Sequence, residues 1–399
     1  METQTITAGI GEWDILIQFV IGVAAALFGF FIAGKIKKAT NGNDLTLNVI
    51  WGLCAAGTVA MFVELTEFFV DFYSGSNLLH ADFVTNEHWL YRLVGTLMSL
   101  DGQRPLLDTD EDMLMTLLGG IAASAGIYIY QRIRNKQLFA KEKKEKIKMS
   151  FSEWVYKKYT VEKSKLEKDC CVADMLFWWC TRAVMLYAFI VMENRAEANL
   201  LLANLIATFA ITLVHIVFPE GTFFSRVSYR VQSLITVIVF LGSYCGNYVW
   251  IYNIVPRFDL FLHLVSGVLC VLGGYYIAIT LVSPDSKRNV WLIAGFAFLF
   301  SCFLMPAWEI SEFIGDFIWG TTNQGFYWGP SDESFLFRVF GRGAYNTRLY
   351  PLYDTFYDVM LAMVTTLLTQ VGLCAFLFSK VKKAENTVVV SEKKEEVMC

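Results

Sequence analysis

Residues 13–33 read WDILIQFVIGVAAALFGFFIA, an apolar run with one carboxylate near its start. A run of this length can cross the ~30 Å hydrocarbon core of a bilayer as an α-helix. Residues 258–278 repeat the pattern as FDLFLHLVSGVLCVLGGYYIA, with Asp14 matching Asp259, Gln18 matching His263 and Gly22 matching Gly267. The stretch therefore predicts a membrane-spanning helix and, together with its second copy, an internal repeat.

The composition predicts a multi-pass integral protein of the cell membrane. Of the 399 residues, 55% are hydrophobic and 18% charged, whereas soluble domains contain about 25% charged residues. The net charge of −4 is small, so the sequence indicates no nucleic-acid partner, and the expected surroundings are membrane lipids. Apolar runs predict an all-α, polytopic transmembrane helical bundle of about nine spans, near 13–34, 45–73, 110–130, 172–192, 198–218, 231–253, 258–283, 290–318 and 355–379.

The distribution of Lys and Arg predicts the orientation, because cytoplasmic loops are enriched in these residues. Basic residues follow the first, third, fifth, seventh and ninth predicted spans. They share one side if the N-terminus is outside and the C-terminus inside. The predicted segments are an N-terminal three-span unit (1–130), a charged cytoplasmic linker (131–171), a six-span unit (172–380) and a disordered cytoplasmic tail (381–399).

Two further blocks support the internal repeat. VELTEFFVDFYSG at 63–75 aligns with WEISEFIGDFIWG at 308–320, and LLDTDEDMLMTLL at 106–118 aligns with LYDTFYDVMLAMV at 352–364. The last three spans (258–380) thus repeat the N-terminal unit. Each copy has three spans and three more separate the copies, so both copies run in the same direction through the membrane. This predicts a parallel repeat about an axis along the membrane normal.

Acidic residues of the C-terminal copy fall at similar predicted depths on three successive helices. Glu309, for example, lies about 28 Å along a helix that enters near residue 290, at 1.5 Å per residue. We therefore predict a shared polar site near the extracytoplasmic face. Its predicted members are Asp259, His263, Glu309, Glu312, Asp316, Asp354 and Asp358, and their equivalents in the first copy are Asp14, Gln18, Glu64, Glu67, Asp71, Asp108 and Asp112.

Clustered carboxylates repel one another and need protonation, a cationic partner or a bound metal. Oxygen-rich sites with one imidazole suit Mg²⁺, Mn²⁺ or Ca²⁺, and also Zn²⁺. We predict that the carboxylates hold a divalent metal and that the catalytic residues are His263, Glu309 and Glu312. The predicted metal ligands are Glu309, Glu312, Asp316, Asp354, Asp358 and Asp259.

Structural roles remain open for many of these residues. Helix capping can account for the acids at helix starts, which are Asp14, Asp108, Asp259 and Asp354. Solvation at the interface can account for Asp71 and Asp316, and an interhelical hydrogen bond for His263. Arg104 and Arg348 precede the two Asp-Thr motifs; they could pair with the acids or bind a substrate phosphate or carboxylate. His80, His88 and His215 have no comparable company in the sequence, and we expect ordinary roles for them.

The segment FLGSYCGNYVWIYNIVPRFDLFLHLVSG (240–267), followed by AWEISEFIGDF and YDTFYDVMLAM, resembles the YjdF-like bacterial membrane proteins. The resemblance covers about 172–380 and implies a polytopic membrane fold with a paired-acid motif. A looser likeness to VanZ-like proteins rests on the Asp-x-x-x-His element and the closing pair of acids. VanZ-like proteins are associated with envelope traits, so that likeness implies an envelope substrate only by analogy.

Three functional hypotheses remain. The first is a metal-dependent enzyme acting on a lipid or lipid-linked envelope substrate, in which the metal activates water or polarises a phosphoryl group. The second is a cation or small-solute transporter or channel, since acids within membranes often mark ion paths. The third is a non-catalytic scaffold with a structural ion cluster. The sequence alone does not choose between an enzyme and the others.

Overall fold

The computed structural model describes residues 4–38, 42–74, 104–134, 150–255, 258–319 and 350–398. The elements in these ranges are all helical. In chain order they are α1 (Gln4–Ile36), α2 (Gly42–Ser74), α3 (Arg104–Arg134), α4 (Phe151–Asp169), α5 (Val172–Val191), α6 (Arg195–Ala207), α7 (Ala210–Val217), a 3-10 turn (Phe224–Arg226), α8 (Tyr229–Val239), a π-helix (Phe240–Tyr248), α9 (Ile251–Ile254), α10 (Phe258–Ile279), α11 (Lys287–Trp319) and α12 (Tyr350–Met398).

The predicted all-α membrane fold is confirmed. Within the described residues, eight helical segments are long and apolar enough to cross a membrane, and α6 with α7 form a ninth candidate bent by 57°. The helical backbone of α12 also runs to Met398, through the tail for which the sequence predicted disorder. Lys and Glu are abundant in that tail and favour helix. The division into domains, the orientation and the internal repeat stay predictions.

The chain divides into two compact units. Unit 1 comprises 1–33, 48–127 and 299–366, and unit 2 comprises 34–47, 128–298 and 367–399. Unit 1 thus holds most of the first three spans and parts of α11 and α12. Unit 2 holds the middle spans, α4 and α10.

Glycine allows helices α1 and α3 of unit 1 to pack with their backbones in contact. A Cβ atom at Gly22 would overlap the carbonyl oxygen of Thr116, and one at Gly119 would overlap that of Phe19. Small residues at helix interfaces permit such close approach within membranes. The contact brings Gln18, one turn from Gly22, beside α3.

Helix α2 packs against α11 in the same unit. A Cβ atom at Gly57 would lie 2.5 Å from the Phe303 ring, and the Thr58 hydroxyl donates a hydrogen bond to the Leu299 carbonyl oxygen at 3.4 Å. Nearby, Ile310 packs with Met113 in a buried apolar cluster. These contacts join α2, α3 and α11 within one core.

The span formed by α6 and α7 in unit 2 is broken at Thr208 and Phe209. Arg182, in the middle of α5, donates two hydrogen bonds to Thr208 at the end of α6. Its Nε donates to Thr208 Oγ1 at 3.1 Å, and its Nη2 donates to the Thr208 carbonyl oxygen at 2.6 Å. Gln232 of α8 accepts a hydrogen bond from the Thr212 backbone N–H at 3.1 Å, at the start of α7. Backbone groups freed by a break inside a membrane need such partners.

Helix α4 connects the start of α5 with the end of α7. Helix α4 ends three residues before α5 begins. Its Glu162 side chain contacts His215, close to the end of α7, with 2.7 Å between Oε2 and Nδ1. The start of α5 and the end of α7 therefore lie beside the same helix. This arrangement favours the bent pair α6–α7 as a ninth candidate span, the number that the sequence predicted.

Candidate acidic site

The acidic site of unit 1 starts from the contact between α1 and α3. Gln18 is 3% exposed, and its Nε2 donates a hydrogen bond to Asp112 Oδ2 at 3.1 Å. The Thr116 hydroxyl, one turn further along α3, donates to Gln18 Oε1 at 3.1 Å. The spacing between Gln18 and Gly22 therefore has a physical explanation. Gly22 permits the close approach of α1 to α3, and the Gln18 amide orients the Asp112 carboxylate.

Three carboxylates from two helices converge at this point. Glu64 and Glu67 of α2 and Asp112 of α3 each place an oxygen within 4.8 Å of the others. Glu64 and Asp112 are buried, and Glu67 is half-buried. At ordinary pH three carboxylates this close repel strongly in apolar surroundings, so the arrangement favours added protons or a cation. Oxygen ligands of this kind suit Mg²⁺, Mn²⁺ and Ca²⁺.

Two further acids near this site were not among the predicted residues. Asp110 and Glu111 of α3 are each 1% exposed. The sequence signal was the density of carboxylates in DTDED at 108–112, which is unusual at the start of a membrane span. Sequence reasoning assigned Asp108 and Asp112 through the predicted repeat and passed over the two other acidic residues between them, because these have no acidic equivalent in the second copy.

The structure also describes three predicted residues of the second copy that lie in unit 1. Glu309 and Asp358 are buried, at 2% and 5% exposure. Glu312 is half-buried and accepts a hydrogen bond from Trp308 Nε1 at 2.7 Å. Trp308 itself is 44% exposed, so the Glu312 carboxylate lies on the outer side of α11 with the indole.

Asp259 and His263 lie together on α10 of unit 2. The distance between His263 Nε2 and Asp259 Oδ1 is 3.6 Å, and their side chains are 12% and 43% exposed. This is an ion-pair distance rather than a hydrogen bond. The predicted C-terminal site has members in both units and stays a prediction.

The remaining predicted residues lie outside the described side chains. This holds for Asp14, Asp71, Asp108, Asp316, Asp354 and Arg104, and the whole of Arg348 lies outside the described residues. Their proposed roles are unchanged by the structure.

Sequence reasoning missed a second polar cluster, in unit 2. His215 is completely buried. Its Nδ1 lies 2.7 Å from Glu162 Oε2 and its Nε2 lies 2.9 Å from the Val227 carbonyl oxygen. The Tyr229 hydroxyl donates to the same Glu162 oxygen at 2.9 Å. The expectation of an ordinary role for His215 overlooked this pairing, because Glu162 is 53 residues away in the sequence.

Burial raises the pKa of Glu162, but hydrogen bonds from Lys165, Tyr229 and His215 together outweigh it, so the pKa lies below its ordinary value. Lys165 Nζ is 2.8 Å from Glu162 Oε1, and Lys158 Nζ is 3.7 Å from the same oxygen. The cluster therefore carries a negative carboxylate surrounded by donors. Its contacts join α4 to the ends of α7 and α8.

Comparison with known proteins supports the assignment to the membrane. The matched region is also longer than the segment of about 172–380 for which the motifs indicated a resemblance. A family model described as "Predicted membrane protein (DUF2238)" matches residues 5–133 and 174–380. The match includes the N-terminal three spans as well as the six-span region, and omits the charged segment that includes α4. No curated protein and no solved structure matched the chain. Since the matched residues make up more than half of its length, the chain belongs to the DUF2238 family of predicted membrane proteins.

Proposed function

We propose that this membrane protein binds a divalent cation through the acidic site of unit 1 and acts on a lipid or lipid-linked envelope substrate. The observation that supports the proposal is the convergence of Glu64, Glu67 and Asp112 within 4.8 Å. A bound cation would offset their repulsion and could polarise a phosphoryl or carbonyl oxygen. Gln18 would hold Asp112 in a fixed orientation, since it donates to the Oδ2 atom.

The internal repeat forms part of this proposal. Aligning Val63 with Trp308 makes Thr58 the equivalent of Phe303. Gly57, adjacent to Thr58, packs closely on Phe303, so α2 and α11 meet at nearly equivalent residues. An axis relating two copies would produce such a crossing, which supports a parallel repeat. The C-terminal residues Glu309, Glu312, Asp316, Asp354, Asp358, Asp259 and His263 would then form the corresponding second site.

The proposed substrate class follows from the position of the site and from resemblance. The site lies toward one end of the spans, where a lipid head group could reach it from the side. The looser likeness to VanZ-like proteins suggests an envelope substrate by analogy. Arg104 and Arg348 would bind a substrate phosphate or pair with the acids.

Metal content tests the cation proposal directly. The purified protein is dialysed against Mg²⁺, Mn²⁺, Ca²⁺ or Zn²⁺ in separate samples, and the bound metal is measured. We expect near-stoichiometric metal in the wild type and at least a several-fold loss in Glu64→Gln and Asp112→Asn. Glu167→Gln is the matched control, because Glu167 is exposed on α4.

Two further measurements separate the functional classes. Turnover of lipid extracts by the wild type, lost in Glu64→Gln and Glu309→Gln, would support the enzyme. Bound metal without lipid turnover would favour the scaffold, and ion flux in liposomes without bound metal would favour a transporter or channel. Equal metal content in wild type and variants would refute the proposed site.

A further inference from the structure

One face of α4 changes character along the helix. At 100° per residue, the residues at positions 0, 3, 4, 7, 8, 11, 14 and 18 of an α-helix share a face. In α4 these positions are Phe151, Trp154, Val155, Lys158, Tyr159, Glu162, Lys165 and Asp169. The face is mostly aromatic up to Tyr159, where Lys158 is its one charged residue, and it is charged from Glu162 onward.

The charged half is docked against the ends of two membrane spans. Besides the contacts of Glu162 with His215 and Tyr229, Lys165 Nζ donates to the Ser225 carbonyl oxygen at 2.8 Å. Asp169 Oδ2 accepts from the Tyr229 backbone N–H at 2.9 Å and from the Ser228 hydroxyl at 2.7 Å. Residues 218–228 connect the end of α7 to the start of α8, so this face of α4 is turned toward the membrane boundary.

The aromatic and aliphatic side chains of the first half continue the same face and are exposed, whereas Lys158 between them is buried. Phe151 is 79% exposed, Trp154 44%, Val155 43% and Tyr159 64%. Phe151 and Trp154 stack on one another, with ring centroids 6.0 Å apart. Large aromatic residues on the membrane-facing side of a helix are typical of helices that lie in the bilayer interface.

Charge and chain connectivity identify the partner of this face. Helix α4 leads into the span α5 after only two residues, so its distance from the bilayer is limited. Exposed Lys157, Lys163 and Lys168 flank the face. The sequence immediately before α4, AKEKKEKIK at 140–148, has five Lys and two Glu. Basic segments next to a span are attracted to anionic lipid head groups.

We propose that the first half of α4 is a membrane-surface helix, with Phe151, Trp154, Val155 and Tyr159 in the head-group region of the leaflet where α5 begins. Its partner is the anionic lipid surface of the membrane that the chain itself spans. The charged contacts around Glu162 hold the helix at the orientation that this requires.

Site-specific crosslinking in the full-length protein tests the proposal. A photoreactive phenylalanine analogue replaces Trp154 in one variant and Tyr156 in the other, in nanodiscs with or without phosphatidylserine. Tyr156 is the matched control, because it is a 73% exposed aromatic residue on the opposite arc of the same turns. We expect several-fold more lipid adduct at position 154 than at 156, and a higher yield with phosphatidylserine.

Three outcomes would overturn the proposal. Equal lipid adducts at the two positions would mean that the face is not oriented toward the bilayer. Chain-to-chain adducts dominating at position 154 would assign the face to a second copy of the protein. Equal yields with and without phosphatidylserine would remove the anionic lipid as the partner.

Discussion

At the scale of single residues, glycine positions the acidic site. Gly22 and Gly119 permit the contact between α1 and α3, and Gln18 and Asp112 form their hydrogen bond beside it. The close approach at the two glycines therefore determines where the Asp112 carboxylate lies relative to Gln18.

Gly22→Ala is expected to destabilise the protein by about 1–3 kcal/mol, because the added methyl group overlaps backbone that must shift. Thermal unfolding in detergent measures the effect. Gly126→Ala is the matched control on α3, where nothing lies within 4 Å of an added Cβ. It should be neutral or slightly stabilising, since alanine favours helix over glycine. Equal destabilisation by both changes would contradict the packing account.

Docking of α4 is expected to depend on pH through Glu162. Its pKa is depressed in the folded protein, so its contribution is present above the ordinary carboxyl pKa and is lost as the pH falls through the depressed value. Hydrogen exchange of the α4 amides, followed on acidification, should report this loss. Glu162→Gln should weaken docking at neutral pH and flatten the pH dependence, whereas Glu167→Gln should retain both. A pH profile unchanged in Glu162→Gln would show that another group controls docking.

At the scale of elements, the broken span depends on partners from its neighbours. Arg182 is 7% exposed, and its guanidinium carbon lies 3.7 Å from the centroid of the Phe209 ring. The planar guanidinium can bond two oxygens of Thr208 and stack on an aromatic ring at once, which an ammonium group cannot do.

Arg182→Lys keeps the charge but is expected to destabilise the protein by about 1–3 kcal/mol, because it leaves a buried oxygen of Thr208 without its donor. Arg195→Lys is the control, since Arg195 is exposed at the start of α6. Thermal unfolding of both variants measures the difference. Equal midpoints would show that the break is held by other contacts.

At the scale of the whole molecule, a count of nine spans, with the pair α6–α7 as one of them, predicts the positions of the two ends of the chain. An odd number of crossings puts the termini on opposite sides, with the N-terminus outside and the C-terminus inside from the distribution of Lys and Arg. Terminal tags probed in intact cells with a membrane-impermeant reagent should react only at the N-terminus. If both tags lay on one side, the pair α6–α7 could not be a complete span.

Composition and apolar run length were enough to predict the membrane fold with its eight or nine candidate spans, because a bilayer requires long apolar helices whatever their packing. The alignment of the two predicted copies selected Gln18, Glu64, Glu67 and Asp112 as candidate site residues at similar predicted depth. Only the tertiary structure decided which of these side chains converge, because the contact between α1 and α3 depends on backbone approach at two glycines. It alone revealed Arg182 and the Glu162–His215 contact, because their partners are distant in the sequence and follow no periodic pattern.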